Sequence, residues 1–394
     1  MKAYRIKTDT LISPFQEHPR SLPILNKPLE WHQRSVAQQM GMELVDVDDV
    51  DEVDGGERIV FPDHTVFTKN LISEFVSRSR KEGTATACCL KKGYATLRSV
   101  TSTMSVLDNG DNYQYELFYY PEGKSVDGSR PLVIDPDEDA AFVRFPEHVV
   151  PGKDYVAPLT TKRIFHIEHW SNLWAANISG VLGRIREFKS SPKLKLLAMA
   201  LRARSSNPWK VSSKNVIIGK NCDIHPRAYL ENAVIGDNVE VGAGAVIRGA
   251  EIGNNVVISN NAIVFMSVVG DDCALISGCC MQFTLAFPGV VQANRFLNDV
   301  TMGRNSFVGD GVTLTDFRFD GQNMKVMHKG RLVDTGGVFL GSCVGHNSYL
   351  GSGVIVGPGR EIPNDVKVVV NRSRMIMDGD LNGDFQIIKK DQGN

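Results

Sequence analysis

The sequence has few of the features that would place the protein in a specialised class. It contains no apolar run of membrane-spanning length, and no charged segment followed by an apolar leader at its start. Basic and acidic residues are nearly equal, 44 against 45, so the basic excess of a general nucleic-acid binder is missing. These absences predict a cytoplasmic protein with no membrane and no nucleic acid as partner.

Cysteine spacing excludes a second group of functions. The seven cysteines show no CxxC pair and no neighbouring pair of histidines, so a zinc site is not expected. An odd number of cysteines in a chain without a leader favours reduced thiols that pack as small core residues. The length of 394 residues predicts more than one domain.

Glycine is absent from the first 40 residues but follows a regular spacing later in the chain. Ile218-Gly219, Ile235-Gly236, Ile252-Gly253 and Val269-Gly270 each begin 17 residues after the pair before. Further apolar residues lie six apart inside each unit, which neither helical spacing nor strand alternation explains. This period predicts a β-helix solenoid, with glycine or asparagine at corners where φ is positive.

We expect two stretches to interrupt the solenoid, roughly 279–299 and 316–339. The six-residue steps resume after the first at Met302-Gly303 and after the second at Val344-Gly345, which follows Leu340-Gly341. Because the repeated coils of a solenoid are mainly structural, we expect catalytic or binding residues on the loops that leave the coils.

The N-terminal half has an α/β pattern. Strand-like runs at 58–61, 84–90 and 114–120 alternate with segments of helical period, such as 29–40 and 68–81. The predicted domains are an α/β domain (1–165), a helical connector (166–210), the solenoid (211–372) and a C-terminal tail (373–394).

Four segments carry a resemblance to a known family. They are HPRSLPILNKPLEWHQ (18–33), VFPDHTVFTKNLISEFV (60–76), FHIEHWSNLWAAN (165–177) and DFRFDGQNMKVMHKGRLVDTG (316–336). In this arrangement the chain resembles the bifunctional sugar-1-phosphate nucleotidyltransferase/acetyltransferase family, the GlmU-like proteins, and most closely their archaeal-type members. The resemblance implies a Rossmann-like, nucleotidyltransferase-like α/β domain and a left-handed parallel β-helix of hexapeptide repeats that assembles as a homotrimer.

The resemblance also assigns roles to individual residues. A small-molecule substrate would react with acyl-CoA, such as acetyl-CoA, as co-substrate, and a magnesium ion is possible only if nucleotidyl transfer is retained. The implied roles are metal binding for Asp63, substrate binding for Arg20, Lys27 and Arg318, and binding of the phosphates of CoA or another nucleotide for Lys325, Lys329 and Arg331. A structural role for Asp63, capping the helical segment 68–81, is the alternative interpretation of that residue.

The chain departs from the family at both expected active sites. The glycine-rich loop LAGG-x-G-T-R-L, whose backbone cradles a triphosphate, is replaced by MKAYRIKTDTLISPFQ. The second metal-binding aspartate corresponds to His166 or Glu168. In the solenoid the family's catalytic histidine is missing, which leaves Asp316 and His346 as candidates for the general base. A surface turn residue is the alternative interpretation of His346.

Three functions stay open at this stage. The first is acyl transfer from acyl-CoA to a sugar nucleotide or a related small polar acceptor. The second is a catalytically degenerate relative that binds a sugar nucleotide as a regulatory or scaffold subunit. The third is sugar-1-phosphate nucleotidyl transfer, which needs a phosphate cradle that the sequence does not show. Acyl transfer is the leading prediction, because a protein that acts only as a scaffold would not require the excursion at 316–336.

Overall fold

The computed structural model describes residues 1–97, 100–124, 128–136, 139–144 and 154–371. It confirms the predicted fold class, a mixed α/β domain followed by a solenoid of short parallel strands. No helix in these ranges is both long enough and apolar enough to cross a bilayer. The predicted tail at 373–394 lies outside the described residues.

Seven strands form the N-terminal sheet. In chain order they are Lys2–Ile6 (β1), Glu43–Val47 (β2), Arg58–Pro62 (β3), Thr86–Lys91 (β4), Leu107–Asp108 (β5), Asn112–Tyr120 (β6) and Arg130–Ile134 (β7). The spatial order is β7-β4-β6-β3-β1-β2, with β5 paired to β6. Strand β1 is parallel to both of its neighbours, β2 and β3, and β6 runs antiparallel to β3 and β4. The carboxyl ends of β1, β2 and β3 therefore meet at one edge, where open α/β sheets bind ligands.

Helices and short strand pairs complete the N-terminal part and the connector. The helices are Leu29–Gln39 (α1), Lys69–Glu82 (α2), Tyr94–Leu97 (α3), Trp170–Lys189 (α4), Lys193–Ala203 (α5) and Pro208–Ser212 (α6), with 3-10 turns at Pro19–Ser21, Val50–Glu52 and Thr101–Thr103. The short pairs are Pro23–Ile24 with Lys27–Pro28, Thr65–Phe67 with Ile164–His166, and Asp139–Arg144 with Asp154–Leu159.

Each of the first five turns of the solenoid adds one strand to each of three parallel sheets, and inward apolar side chains form a core of their own. The first sheet contains Ile217–Ile218, Val234–Ile235, Glu251–Ile252, Val268–Val269, Leu285–Ala286, Thr301–Met302, Cys343–Val344 and Glu361–Ile362. The second contains Asp223–Ile224, Glu240–Val241, Val257–Ile258, Ala274–Leu275, Val291–Gln292, Phe307–Val308, Tyr349–Leu350 and Lys367–Val368. The third contains Tyr229–Glu231, Val246–Arg248, Ile263–Phe265, Cys280–Gln282 and Phe296–Asn298, and Thr313–Leu314 pairs separately with Ile355–Val356.

Stacked polar side chains hold one corner of the solenoid. Asn221, Asn238, Asn255 and Asp272 occupy successive coils with φ angles of 55° to 57°. Asn238 Nδ2 donates to Asn255 Oδ1 at 3.0 Å, and Asn255 Nδ2 donates to Asp272 Oδ1 at 3.0 Å. Asparagine and aspartate tolerate this backbone conformation better than other residues with a Cβ, which confirms the predicted use of asparagine at the corners.

The expected interruption at 279–299 was wrong, because this stretch continues all three sheets in register. Two features hide the period in the sequence. Gln292 takes an interior position that is elsewhere apolar, and Met302 pairs with Ala286 only 16 residues before it. The Nε2 of this buried amide donates to the backbone oxygens of Cys280 and Asn294, whereas its Oε1 has no hydrogen-bond partner among the described residues.

The second expected interruption is confirmed. Residues 316–339 leave the coil and form an antiparallel hairpin of Lys325–His328 and Arg331–Asp334. Phe317 and Phe339 form an antiparallel bridge at the base of this excursion, where the chain leaves and rejoins the coils of the solenoid.

Helix α4 joins the two halves as a core element. Trp170 is fully buried, and Trp174 Nε1 donates to the backbone oxygen of Phe283 in the solenoid at 2.7 Å. On the other side, Asn177 Oδ1 accepts a hydrogen bond from the Leu25 N–H at 2.8 Å. The apolar core is continuous from the N-terminal sheet through α4 to solenoid residues such as Phe287.

Replacing Asn255 by alanine is predicted to lower the free energy of unfolding by about 2 kcal/mol, since alanine loses the ladder hydrogen bonds and disfavours a positive φ. Asn255→Gly accepts the positive φ and loses only the hydrogen bonds, so its loss should be smaller. Urea unfolding followed by circular dichroism measures both variants. Equal losses would contradict the conformational role of this corner.

Candidate functional site

Polar side chains gather at the carboxyl edge of β1 and β3. Asp63 follows β3 directly and is 1% exposed, and its Oδ1 accepts a hydrogen bond from Thr8 Oγ1 at 2.7 Å. His18 Nε2 lies 3.4 Å from the other carboxylate oxygen of Asp63. Because β1 and β3 are parallel neighbours, the residues that follow them emerge side by side.

Glu168 reaches the same edge from the second half of the domain. The pairing of Thr65–Phe67 with Ile164–His166 brings it there. Its Oε2 accepts hydrogen bonds from Ser105 Oγ at 2.9 Å and from Lys329 Nζ at 3.1 Å, and its Oε1 lies 4.0 Å from His64 Nε2. The edge cluster, defined as Thr8, His18, Asp63, His64, Ser105, Glu168 and Lys329, thus joins the N-terminal domain to the solenoid excursion.

A buried neutral histidine borders the edge cluster. His166 Nε2 accepts the Glu116 N–H at 3.0 Å, and its Nδ1 lies 2.9 Å from Thr65 Oγ1. Burial is the main cause that holds the pKa of His166 well below its usual value, and the charge of the neighbouring His64 acts in the same direction. The geometry agrees, because a protonated imidazole has no nitrogen left to accept a hydrogen bond.

His64 is buried as well, and burial lowers the pKa of this residue although Glu168 acts in the opposite direction. Its Nε2 has no hydrogen-bond partner among the described residues. A polar group on a bound ligand could satisfy this nitrogen.

The edge cluster does not fit a magnesium ion, which prefers oxygen ligands in an octahedral arrangement. Thr8 and His18 already contact the two oxygens of Asp63, and Ser105 and Lys329 contact the carboxylate of Glu168. Across the part of the chain that the structure describes, no group of three or more His, Cys, Asp or Glu residues could hold a metal ion. The metal-binding role of Asp63 stays a prediction from sequence, and no step is assigned to a metal.

The loop 7–22 follows β1 at the carboxyl edge of the sheet, and it packs against the solenoid. The Phe15 ring is 2% exposed and lies 4.8 Å from the Phe287 ring and 4.7 Å from the His346 ring, measured between centroids. Ile12 and Leu22 are fully buried. Buried apolar side chains therefore fix this loop on the solenoid.

Polar contacts reinforce the same interface. The carboxylate of Glu17 pairs with the guanidinium of Arg304, and Ser13 Oγ donates to Glu361 Oε2 at 2.6 Å. Glu361 also contacts His169, with 3.2 Å between Oε1 and Nε2.

The structure places His346 inside this interface. Its Nδ1 accepts the Arg304 N–H at 2.8 Å, and its Nε2 lies 3.1 Å from Glu17 Oε1. Burial, followed by the charge of Arg304, lowers the pKa of His346. Asp316 lies at a different corner of the coil, after Thr313–Leu314, where Asn298 Nδ2 donates to its carboxylate. The two candidate bases are therefore not brought together, and both roles stay predictions.

The excursion hairpin, residues 325–334, has two distinct faces. Val326 and His328 are buried, and the His328 ring lies 5.4 Å from that of His169 in the N-terminal half. Burial, together with the charges of His169 and Lys329, lowers the pKa of His328 to about 4. The outer face of the hairpin exposes Lys325, Met327, Leu332 and Asp334. Lys329 and Arg331 are exposed at the turn.

The three predicted substrate contacts are dispersed. Arg20 Nη2 lies 3.4 Å from Glu30 Oε2 and 3.6 Å from Asp46 Oδ1, near the carboxyl end of β2. Lys27 is exposed in a short strand, and Arg318 pairs with Asp320 inside the excursion. The structure does not bring the three into one pocket, and their role stays a prediction.

A family model matches the first coils of the solenoid. The GMPPB C-terminal domain, a domain of the sugar nucleotidyltransferase type, matches residues 211–288. Among solved structures 145 chains match, and one of them is the polysialic acid O-acetyltransferase OatWY, at 19% identity. That match covers 39% of this chain and 74% of the other, with a TM-score of 0.16. No curated protein matches the chain.

Acidification from pH 7 to pH 5 is predicted to destabilise the folded protein. Burial lowers the pKa of five histidines, so below about pH 6.5 the unfolded chain binds more protons than the folded chain. Their contribution to stability is present above that pH and is lost as the pH falls. Thermal unfolding across this range should show a falling midpoint. The five are His32, His64, His166, His328 and His346.

Two glutamine variants separate this effect from general acid sensitivity. His166→Gln keeps one acceptor and one donor without a titrating ring, so its midpoint should depend less on pH. His225→Gln, at an exposed position on the first coil, should leave the dependence unchanged. A wild-type midpoint that does not fall on acidification would contradict the account.

Proposed function

We propose that the protein is an acyltransferase that moves an acyl group from acyl-CoA to a sugar nucleotide or a related small polar acceptor. The outer face of the excursion hairpin carries this proposal. There Met327 and Leu332 are 52% and 54% exposed, next to the cross-strand pair of Lys325 with Asp334, and Arg331 is exposed at the turn. An apolar surface flanked by cations suits the adenine ring and the phosphates of CoA.

The base of the excursion offers the chemistry that the transfer needs. The acceptor oxygen or nitrogen bonds to the thioester carbon, the carbon–sulfur bond breaks, and the acceptor proton passes through a base to the CoA thiolate. Asp316 is the base favoured here, because it is half-buried next to Asn298, whose Nδ2 donates to its carboxylate and whose Oδ1 has no hydrogen-bond partner in the described chain. His346 is less favoured, since contacts within the fold already occupy both of its ring nitrogens.

A regulatory or scaffold subunit that binds a sugar nucleotide is the second candidate. One observation favours it: the hairpin docks on the N-terminal domain through the ion pair of Lys329 with Glu168. A ligand bound at the edge cluster would disturb that pair and would thereby change a contact of the solenoid's excursion hairpin. Nucleotidyl transfer has less support, because the loop 7–22 packs against the solenoid.

The full chain is predicted to bind CoA and acetyl-CoA. The double variant Lys325→Ala with Arg331→Ala should bind both molecules at least about tenfold more weakly. The reason is the loss of two charge-assisted contacts to phosphate. Isothermal titration calorimetry measures both affinities. Light scattering of the same sample should show the homotrimer that the resemblance implies.

The matched control is Lys220→Ala with Arg227→Ala, a lysine and an arginine that are exposed on the first coil. This control should bind CoA as the unmodified protein does. No CoA binding, or an equal loss in both double variants, would overturn the acyltransferase. Binding of a sugar nucleotide without CoA binding would favour the regulatory subunit.

A further inference from the structure

The segment 188–222 is strongly basic in a chain of net charge −1. It contains no aspartate or glutamate, and its eight lysines and arginines are all exposed. Glu187 and Asp223 bound it on either side. The eight are Lys189, Lys193, Lys195, Arg202, Arg204, Lys210, Lys214 and Lys220.

The same segment exposes large apolar side chains. In helix α5, Leu194 is 77% exposed, Leu197 56% and Leu201 70%. Their spacing of three and four places them along one side of the helix, whereas Met199 faces the protein and is buried. Trp209 in α6 is also 56% exposed. The fold therefore uses one side of α5 and leaves a second apolar side without a partner in the described chain.

Cations lie on both sides of this apolar stripe. At 100° per residue, Lys193 projects on one side of the leucines, and Lys195 and Arg202 project on the other. None of the ion pairs within the described ranges involves these three residues. Leucines bordered by cations are the arrangement found in helices that lie at the surface of an anionic membrane.

A cavity beside α5 has complementary chemistry. Its volume is about 360 Å³, and Lys195 and Arg184 line it together with the amides of Asn215 and Asn232. Lys195 suits a phosphate headgroup, whereas Arg184 already pairs with Glu251 and Asn215 Nδ2 donates to Asn232 Oδ1. Glu187 also contributes to the lining. The cavity therefore adds a polar site next to the apolar stripe.

We infer that α5 and α6 form a peripheral docking surface for an anionic lipid membrane. The leucines and Trp209 enter the headgroup boundary, and the flanking lysines and arginines face the negative lipids. A second copy of the chain fits less well, because two surfaces of the same positive charge repel each other. A nucleic acid or an acidic polypeptide would satisfy the cations but leaves the exposed leucines unexplained. This inference does not depend on the acyltransferase proposal, and it replaces the expectation of no membrane partner.

Vesicle sedimentation with the full chain tests the inference. The protein should bind to vesicles of phosphatidylcholine that contain about 30 mol% phosphatidylserine. It should bind far less to vesicles of phosphatidylcholine alone. Lys193→Gln with Lys195→Gln should weaken binding by about tenfold or more, since each basic residue contributes roughly fivefold. Leu194→Ser with Leu201→Ser should also weaken it, and added salt should weaken binding of the unmodified protein.

Two control pairs match these variants in residue type and exposure. Lys69→Gln with Lys81→Gln changes exposed lysines of α2, and Ile355→Ser with Val369→Ser changes exposed apolar residues at the far end of the solenoid. Both controls should bind vesicles normally, and circular dichroism should show all four variants folded. Vesicle binding that is absent, or equally reduced in variants and controls, would overturn the inference. So would a dimer in light scattering that the leucine variant dissociates.

Discussion

The packing of the loop 7–22 against the solenoid is the constraint on which the rest of the structure depends. Phe15 contacts Phe287 and His346, and Glu17 pairs with Arg304, so the loop joins two halves that helix α4 also holds together. The loop follows β1, at the sheet edge where a phosphate cradle would lie. Its apolar and charged side chains make it a structural connection, and the absence of glycine follows from that role.

This constraint moves the expected chemistry away from the N-terminal sheet. The edge cluster contains carboxylates and histidines, but Ser105, Thr8 and Lys329 already contact the carboxylate oxygens. The excursion hairpin has a buried face against the N-terminal half and an outer face that exposes cations and apolar side chains. A site on the hairpin can therefore act while its inner face keeps the two halves in contact. The basic, leucine-rich helix α5 adds a separate surface on the connector.

Sequence alone predicted the parts of the structure that repeat. The 17-residue period located the solenoid because every coil places an apolar residue and a corner residue at the same positions. It failed at 279–299, where buried Gln292 and a shortened coil remove the signal while the backbone pairing continues. The edge cluster could not be predicted in the same way, because Thr8, His64 and Ser105 are separated in sequence and meet only through strand pairing. One signal was available: Asp63 and His64 directly follow a buried strand.

Hydrogen exchange in the loop 7–22, with and without a nucleoside triphosphate and magnesium, tests the central claim most directly. The amides of Ile12, Gln16 and Leu22 bond to backbone oxygens of the loop, and its Phe15 side chain is buried against the solenoid. The account predicts slow exchange at these three amides and no change when the nucleotide is added. Fast exchange that the nucleotide slows would contradict it, because the loop would then be a phosphate cradle that closes on its ligand.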